Sequence, residues 1–180
     1  MSNQSKKPLL HIATLGKTVG IKGDMKLHIK SDFPEQFKTG ASFLINKKDT
    51  ITLSDVNLDR GIVKINNITN PEDAKKFTNA KLFTTQEATR ENCHLEEGEY
   101  FFFDLEDCDV YEDSKLLGRV KEVERINISN YLSIVTDAAL VAQGFAKSFL
   151  VPFMEPFKVS VDIEAKRIEL RGAMDILEAS

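Results

Sequence analysis

From Leu9 onward the chain alternates short apolar-rich segments with turn-forming residues, a pattern that favours a β-barrel or sandwich over a helical bundle. His11-Ile-Ala-Thr-Leu15 is the first strand candidate. In Asp24-Met-Lys-Leu-His-Ile-Lys30, Met25, Leu27 and Ile29 alternate with Lys26, His28 and Lys30, so one face of this strand is apolar and the other basic. Between these two strands, Gly20-Ile-Lys-Gly23 carries two glycines suited to positive φ or close backbone approach. Pro34 ends the second strand, because it cannot donate to a ladder and biases Phe33 away from helix. Phe43-Leu-Ile45, Ile51-Thr-Leu53 and Ile62-Val-Lys-Ile65 predict three more strands around the turns Asn46-Lys-Lys-Asp49 and Asp59-Arg-Gly61. The period changes at Asn70-Pro-Glu-Asp-Ala-Lys-Lys-Phe77, where an N-cap residue, proline at the first helical position, early acids and later lysines predict a short helix. Lys81-Leu-Phe-Thr84 returns the chain to strand.

Residues 86–97 hold few apolar side chains, which places a domain boundary there: residues 1–90 form a first domain, 91–97 a linker and 98–180 a second domain. The second half opens on Glu99-Tyr-Phe-Phe-Phe103, read as a strand with Tyr100 and Phe102 on one face and Phe101 and Phe103 on the other. Further strands are expected at residues 116–123, 131–135, 149–151, 159–163 and 168–170, the last two joined as a hairpin through Glu164-Ala-Lys-Arg167. Met174, Ile176 and Leu177 suit the tail to dock as a single helical turn. The predicted fold class is therefore mainly β, with two small β-barrel domains in tandem.

At 42% hydrophobic and 29% charged residues, the composition is that of a globular protein and excludes disordered and collagen-like classes. No run approaches the roughly 18 apolar residues that span a bilayer, and Met1-Ser-Asn-Gln-Ser-Lys-Lys-Pro8 lacks the apolar stretch of a secretory signal. A cytoplasmic protein with no membrane contact is expected, its two cysteines, Cys93 and Cys108, reduced. The net charge of -4 hides an asymmetry. Residues 1–90 carry 15 Lys and Arg against 9 Asp and Glu, a net of +6, whereas residues 91–180 carry 9 against 19, a net of -10. Such a bipolar chain suits a basic surface for phosphates and an acidic one for a basic protein.

Catalytic chemistry finds little support. Gly16-Lys17-Thr18 matches only the end of a phosphate-binding loop, with His11 where the earlier glycine is required. His11, His28 and His94 are scattered and the cysteines are not paired, so no metal site, cofactor or catalytic residue is expected. Carboxylates around Cys108 are expected to raise its pKa and blunt the thiolate. Nine acids and no base fall between Glu96 and Asp113, which reads first as a solvated face. Two binding features remain. One is the basic strip of Lys17, Lys22, Lys26 and Lys30, with Gly20 and Gly23 exposing backbone N–H groups toward phosphate. The other is the aromatic cluster, one face of which is available as an interface anchor with acids beside it to select a basic partner.

Several segments then fall in a recognisable order: Gly20-Ile-Lys-Gly-Asp24, Asp32-Phe-Pro-Glu35, Pro71-Glu-Asp-Ala74 with Ala80-Lys-Leu82, and Glu97-Gly-Glu-Tyr100 leading to Asp104-Leu105. Leu117-Gly-Arg-Val120, Leu150-Val-Pro-Phe153 and Val161-Asp162 follow. From Leu9 to Leu177 this ordered set resembles the RimM family of bacterial ribosome maturation factors. The chain departs from the family pattern at Val19, where a histidine is usual, at Asp107 in place of a glycine, and at the turn Asn127-Ile-Ser-Asn130.

The resemblance implies a translation-factor-type barrel followed by a PRC-barrel. It also implies a monomeric, non-enzymatic assembly factor that binds immature 30S subunits with their 16S rRNA, contacts the nineteenth small-subunit protein in the head, and promotes rRNA maturation. The family's aromatic pair falls on Tyr100 and Phe101, the second lacking the hydroxyl here. Tyr100 and Phe101 are thus the expected anchors, Glu97, Glu99 and Asp104 the acids that select the basic protein, and Lys22 and Lys26 the candidate RNA contacts. The competing readings are a general RNA-binding barrel acting on transfer or messenger RNA, and an enzyme, since translation-type barrels also occur in reductases.

Overall fold

In the computed structural model, which describes residues 8–180, the alternation read at Met25 and Leu27 becomes a barrel wall. Strand β1 (Leu9–Val19) pairs antiparallel with β2 (Asp24–Ile29), whose Met25 and Leu27 are buried while Lys26 and His28 face solvent. With β3 (Ser42–Ile45), β4 (Asp49–Asn57), β5 (Ile62–Ile65) and β6 (Lys81–Thr85), the strands close in the order β1-β2-β5-β4-β3-β6. Leu15, Met25, Leu53 and Leu82 meet in the core with Phe37 and Phe43, whose rings lie 5.3 Å apart.

β1 outruns the strand expected at residues 11–15, because a bulge between Leu15 and Thr18 bends it and lets it serve both β2 and β6. Gly16 lies at that bulge. A Cβ there would come within 2.6 Å of His28 Nε2 and 2.9 Å of Lys26 Cβ, so glycine is what lets those side chains cross β1.

Helix α1 (Pro71–Lys75) forms where its caps predicted. Asn70 Oδ1 accepts from the Asp73 amide at 2.9 Å, and Asn70 Nδ2 donates to Asp73 Oδ2 at 2.8 Å. The Asn70 hydrogen bond and then Lys76 hold the Asp73 carboxyl below its ordinary pKa. Helix α2 (Gln86–Asn92) was not anticipated: Thr85 caps it by accepting from the Ala88 amide at 3.1 Å, and Cys93 is buried just beyond it. The chain divides into two compact units, Met1–His94 and Leu95–Ser180. Glu91 and Asn92, expected in a linker, are therefore the last turn of α2.

The second unit begins with a correction. Residues 99–103 do not form a strand; helix α3 (Phe102–Leu105) starts there instead. Burial recurs at Phe101, Leu105 and Cys108, a helical spacing that a two-residue period cannot satisfy. Then come β7 (Asp109–Glu112), β8 (Lys115–Ile126), β9 (Ser129–Thr136), helix α4 (Ala138–Ala142), β10 (Ser148–Pro152), β11 (Lys158–Asp162), β12 (Arg167–Leu170) and helix α5 (Ala173–Ala179). The ladder runs β10-β9-β8-β7-β12-β11, antiparallel except for the parallel pair β7 and β12. Leu117, Leu132, Ile134, Val151, Ile168 and Leu177 fill its core. The expected hairpin between β11 and β12 is present, turned by Asp162 Oδ1 accepting from the Ala165 amide at 2.9 Å.

α5 is longer than the single turn expected. The Glu112 carboxylate explains its seat: it accepts from the backbone amides of Gly172 and Met174 at the start of the helix, and Leu177 is fully buried. Glu112 thus works as a cap and Asp109 pairs with Arg119 at 2.9 Å, so the acidic run is partly structural and not one solvated face.

Candidate functional site

In the second unit the site grows from a turn. The Glu99 amide donates to Glu96 O at 3.1 Å, the Glu96 amide donates to Glu99 Oε2 at 3.0 Å, and Gly98 between them takes φ +83. This closed turn delivers Tyr100, half-buried against the core of the second unit. Its ring meets Phe153 edge-on, with centroids 6.1 Å apart. Lys158 sits over both rings, its Nζ 5.7 Å from the Tyr100 centroid and 5.3 Å from that of Phe153, and donates to Gly98 O at 3.2 Å. One cation therefore fixes both the turn and the ring it presents.

The expected aromatic pair separates here. Phe101 is 5% exposed and its ring stacks on Phe103 at 5.2 Å, within 8° of parallel. Tyr100 is the more accessible of the two rings. Glu97 and Glu99 are exposed beside it, although the Glu99 carboxylate is engaged by the Glu96 amide. Asp104 lies in the first turn of α3, and its carbonyl accepts from Lys166 Nζ at 3.1 Å. Lys166 also reaches Glu106 O at 3.2 Å. Burial, then the neighbouring Asp107 and Glu122, push the Glu106 carboxyl above its ordinary pKa, with Lys166 opposing.

In the first unit, Lys22 stands on the turn at residues 20–23, and Lys26 reaches across to donate to Arg60 O at 3.1 Å. Lys17 is exposed on β1 and Lys30 just past the end of β2. Gly16-Lys17-Thr18 lies inside β1 and not at a strand-to-helix turn, so it does not cradle phosphate as such a loop would. Among the described residues, no cluster of three or more His, Cys, Asp or Glu could hold a metal ion. Both thiols are buried and free; burial, with Glu35 adding, pushes Cys93 up to about 11, and burial is the main force raising Cys108. Among the described residues no helix is long and apolar enough to cross a membrane. Sequence reasoning missed Lys158 and Arg60 as site residues, and quoted Phe153 only within a motif, because their partners lie far away along the chain.

The fold defines a class first: a tandem of two six-stranded β units, the first a closed barrel rich in lysine and the second acidic. Comparison with known proteins narrows it. The RimM N-terminal domain model matches residues 10–89 and the RimM PRC barrel domain model residues 102–176. A protein of Sulfurimonas denitrificans named ribosome maturation factor RimM is 61% identical over all 180 residues of both chains. Proteins of the same name from Nitratiruptor and Aliarcobacter butzleri are 47% and 45% identical, over 95% of this chain and 98% and 97% of theirs. The chain belongs to the RimM family of ribosome maturation factors.

Proposed function

We propose that this protein is a non-enzymatic, monomeric assembly factor of the cytoplasm that binds the head of immature small ribosomal subunits and promotes maturation of their 16S rRNA. The observation that carries the reading is the Tyr100 surface: a ring held on the second unit by Lys158 and Phe153, with the exposed acids Glu97 and Glu99 beside it. An aromatic anchor rimmed by carboxylates suits a basic protein partner, here the nineteenth small-subunit protein. Phe101, buried next to Tyr100 in sequence and stacked on Phe103, completes the aromatic pair, and Asp104 adds to the acidic field. Lys22 and Lys26 supply the RNA contacts, consistent with a net of +6 in residues 1–90. Binding alone does the work: the factor favours a head arrangement and leaves once native contacts replace its own.

The test is capture of tagged protein from growing cells, with mass spectrometry and RNA sequencing of what co-purifies, in parallel with the Tyr100→Ala variant. Immature small-subunit RNA with head proteins, depleted in the variant, is the expected result. Recovery of transfer RNA alone, or of no RNA, would overturn the proposal.

A further inference from the structure

The turn at residues 20–23 holds an apolar side chain in water on a fixed backbone. Ile21 is 82% exposed. Gly20 and Gly23 take φ of +69 and +85, and a Cβ on Gly23 would lie 3.0 Å from both Asn70 N and Ile68 O, so the turn rests directly on the segment that leads into α1. A lone exposed aliphatic is common and needs no explanation. This one has neighbours that give it a use. Lys22 is adjacent, Lys17 and Lys26 flank it on β1 and β2, and Lys26 is tied to Arg60 O in the next turn, where Leu58 is a second exposed aliphatic. The acids on these segments are Asp24, Asp59 and, in the first turn of α1, Glu72 and Asp73, the last engaged by Asn70 and Lys76, while the tip at residues 20–23 carries Lys22 as its one charged residue.

We propose that this turn is an RNA-docking tip, in which Ile21 packs on the face of an unstacked base while Lys17, Lys22 and Lys26 meet the flanking phosphates. The inference rests on the assembly reading above, and it commits to folded RNA with looped-out bases and not to duplex. Apolar side chains pack on exposed bases in this way, and lysines flanking them add affinity without sequence preference. A turn already fixed by its own packing loses little freedom when it docks.

The experiment measures fluorescence anisotropy of the full-length protein with two labelled RNAs, a transcript of the 16S rRNA head domain and a fully paired duplex, across a salt series. Ile21→Ser should weaken binding to the transcript by about five- to tenfold, leave the duplex within about twofold, and keep the salt slope. Lys22→Ala should lower the log–log salt slope by about 0.7 on the looped-out segments of the transcript and by about 0.9 on the duplex. Because Ile21 is exposed, Ile21→Ser should unfold at the wild-type urea midpoint. Unchanged transcript affinity in Ile21→Ser, equal loss on both RNAs, or no RNA binding by the wild type would each overturn the inference. So would loss of subunit co-sedimentation with unchanged RNA affinity, which would assign the turn to a protein partner. Co-sedimentation of the wild type with immature subunits tests the assembly reading separately.

Discussion

Lys158→Met removes the ammonium that joins the turn at residues 96–99 to the Tyr100 and Phe153 rings, while keeping most of the aliphatic stem. The lost hydrogen bond to Gly98 O has a charged donor and is worth about 1.5 kcal/mol, the low end of its range because the lysine is only half-buried. The two ring contacts, at 5.7 and 5.3 Å, add about 0.5 kcal/mol each. The methionine sulfur returns roughly 0.5 kcal/mol against the same rings, which leaves a net cost of about 2 kcal/mol. Much of that cost is local, since the turn has few other ties. Hydrogen exchange of the Glu96 and Glu99 amides should therefore speed up by about tenfold or more, and the urea midpoint of the second unit should fall. Lys158→Arg, which keeps a cation and a donor, should recover most of the protection. If Tyr100 anchors the subunit, Lys158→Met should also weaken co-sedimentation although it leaves Tyr100 in place. Exchange within twofold of wild type together with an unchanged midpoint would refute the reasoning that the cation holds this turn.

Phe101→Ala should cost about 3–5 kcal/mol in urea unfolding, as expected for truncating a buried aromatic, whereas Tyr100→Ala should cost clearly less. Gly118→Ala should abolish cooperative thermal unfolding of the second unit or cost more than about 3 kcal/mol, because its Cβ would lie 2.1 Å from Val135 O and force β8 and β9 apart. The raised pKa of Glu106 means that the folded unit holds this proton more tightly than the unfolded chain does. Its stabilising share is therefore full below the ordinary glutamate pKa and lost as pH rises through the folded value. Glu106→Gln should move the urea midpoint upward relative to wild type at neutral pH, with the difference shrinking as pH falls toward the ordinary value; a pH-independent difference would contradict this.

Much of the first unit could be read in advance, because each local signal there agreed with the fold. Met25 and Leu27 alternate with lysine and histidine, and Asn70, Pro71 and Asp73 give α1 a cap, a first turn and a dipole partner within a few residues. α2 carried no such signal: its apolar content is Ala88, and what holds it is Thr85 and its neighbours in the fold. At residues 99–103 the β propensity of four adjacent aromatics outweighed a helical spacing that becomes visible only with Leu105 and Cys108 included. α4 hides in Ala138-Ala-Leu-Val-Ala142, whose N-cap Asp137 reads equally well as a turn residue. At the candidate site the same division holds. Tyr100 and its acids are adjacent in sequence and were legible, whereas Lys158 and Phe153 reach them only through the register of the second sheet.

The seat of α5 bears on how this chain comes to exist. β7 at residues 109–112 finds its parallel partner in β12 at residues 167–170, and Glu112 waits for the amides of Gly172 and Met174. During synthesis, the strands of the first unit are all present once residue 85 has left the ribosome. The second unit can pair β7, β8, β9 and β10 in turn as they emerge, but the parallel partner of β7 and the amides that Glu112 caps arrive only some sixty residues beyond β7. The lysine-rich barrel can therefore close, with its basic surface formed, before the acidic half has the strand and amides that complete it.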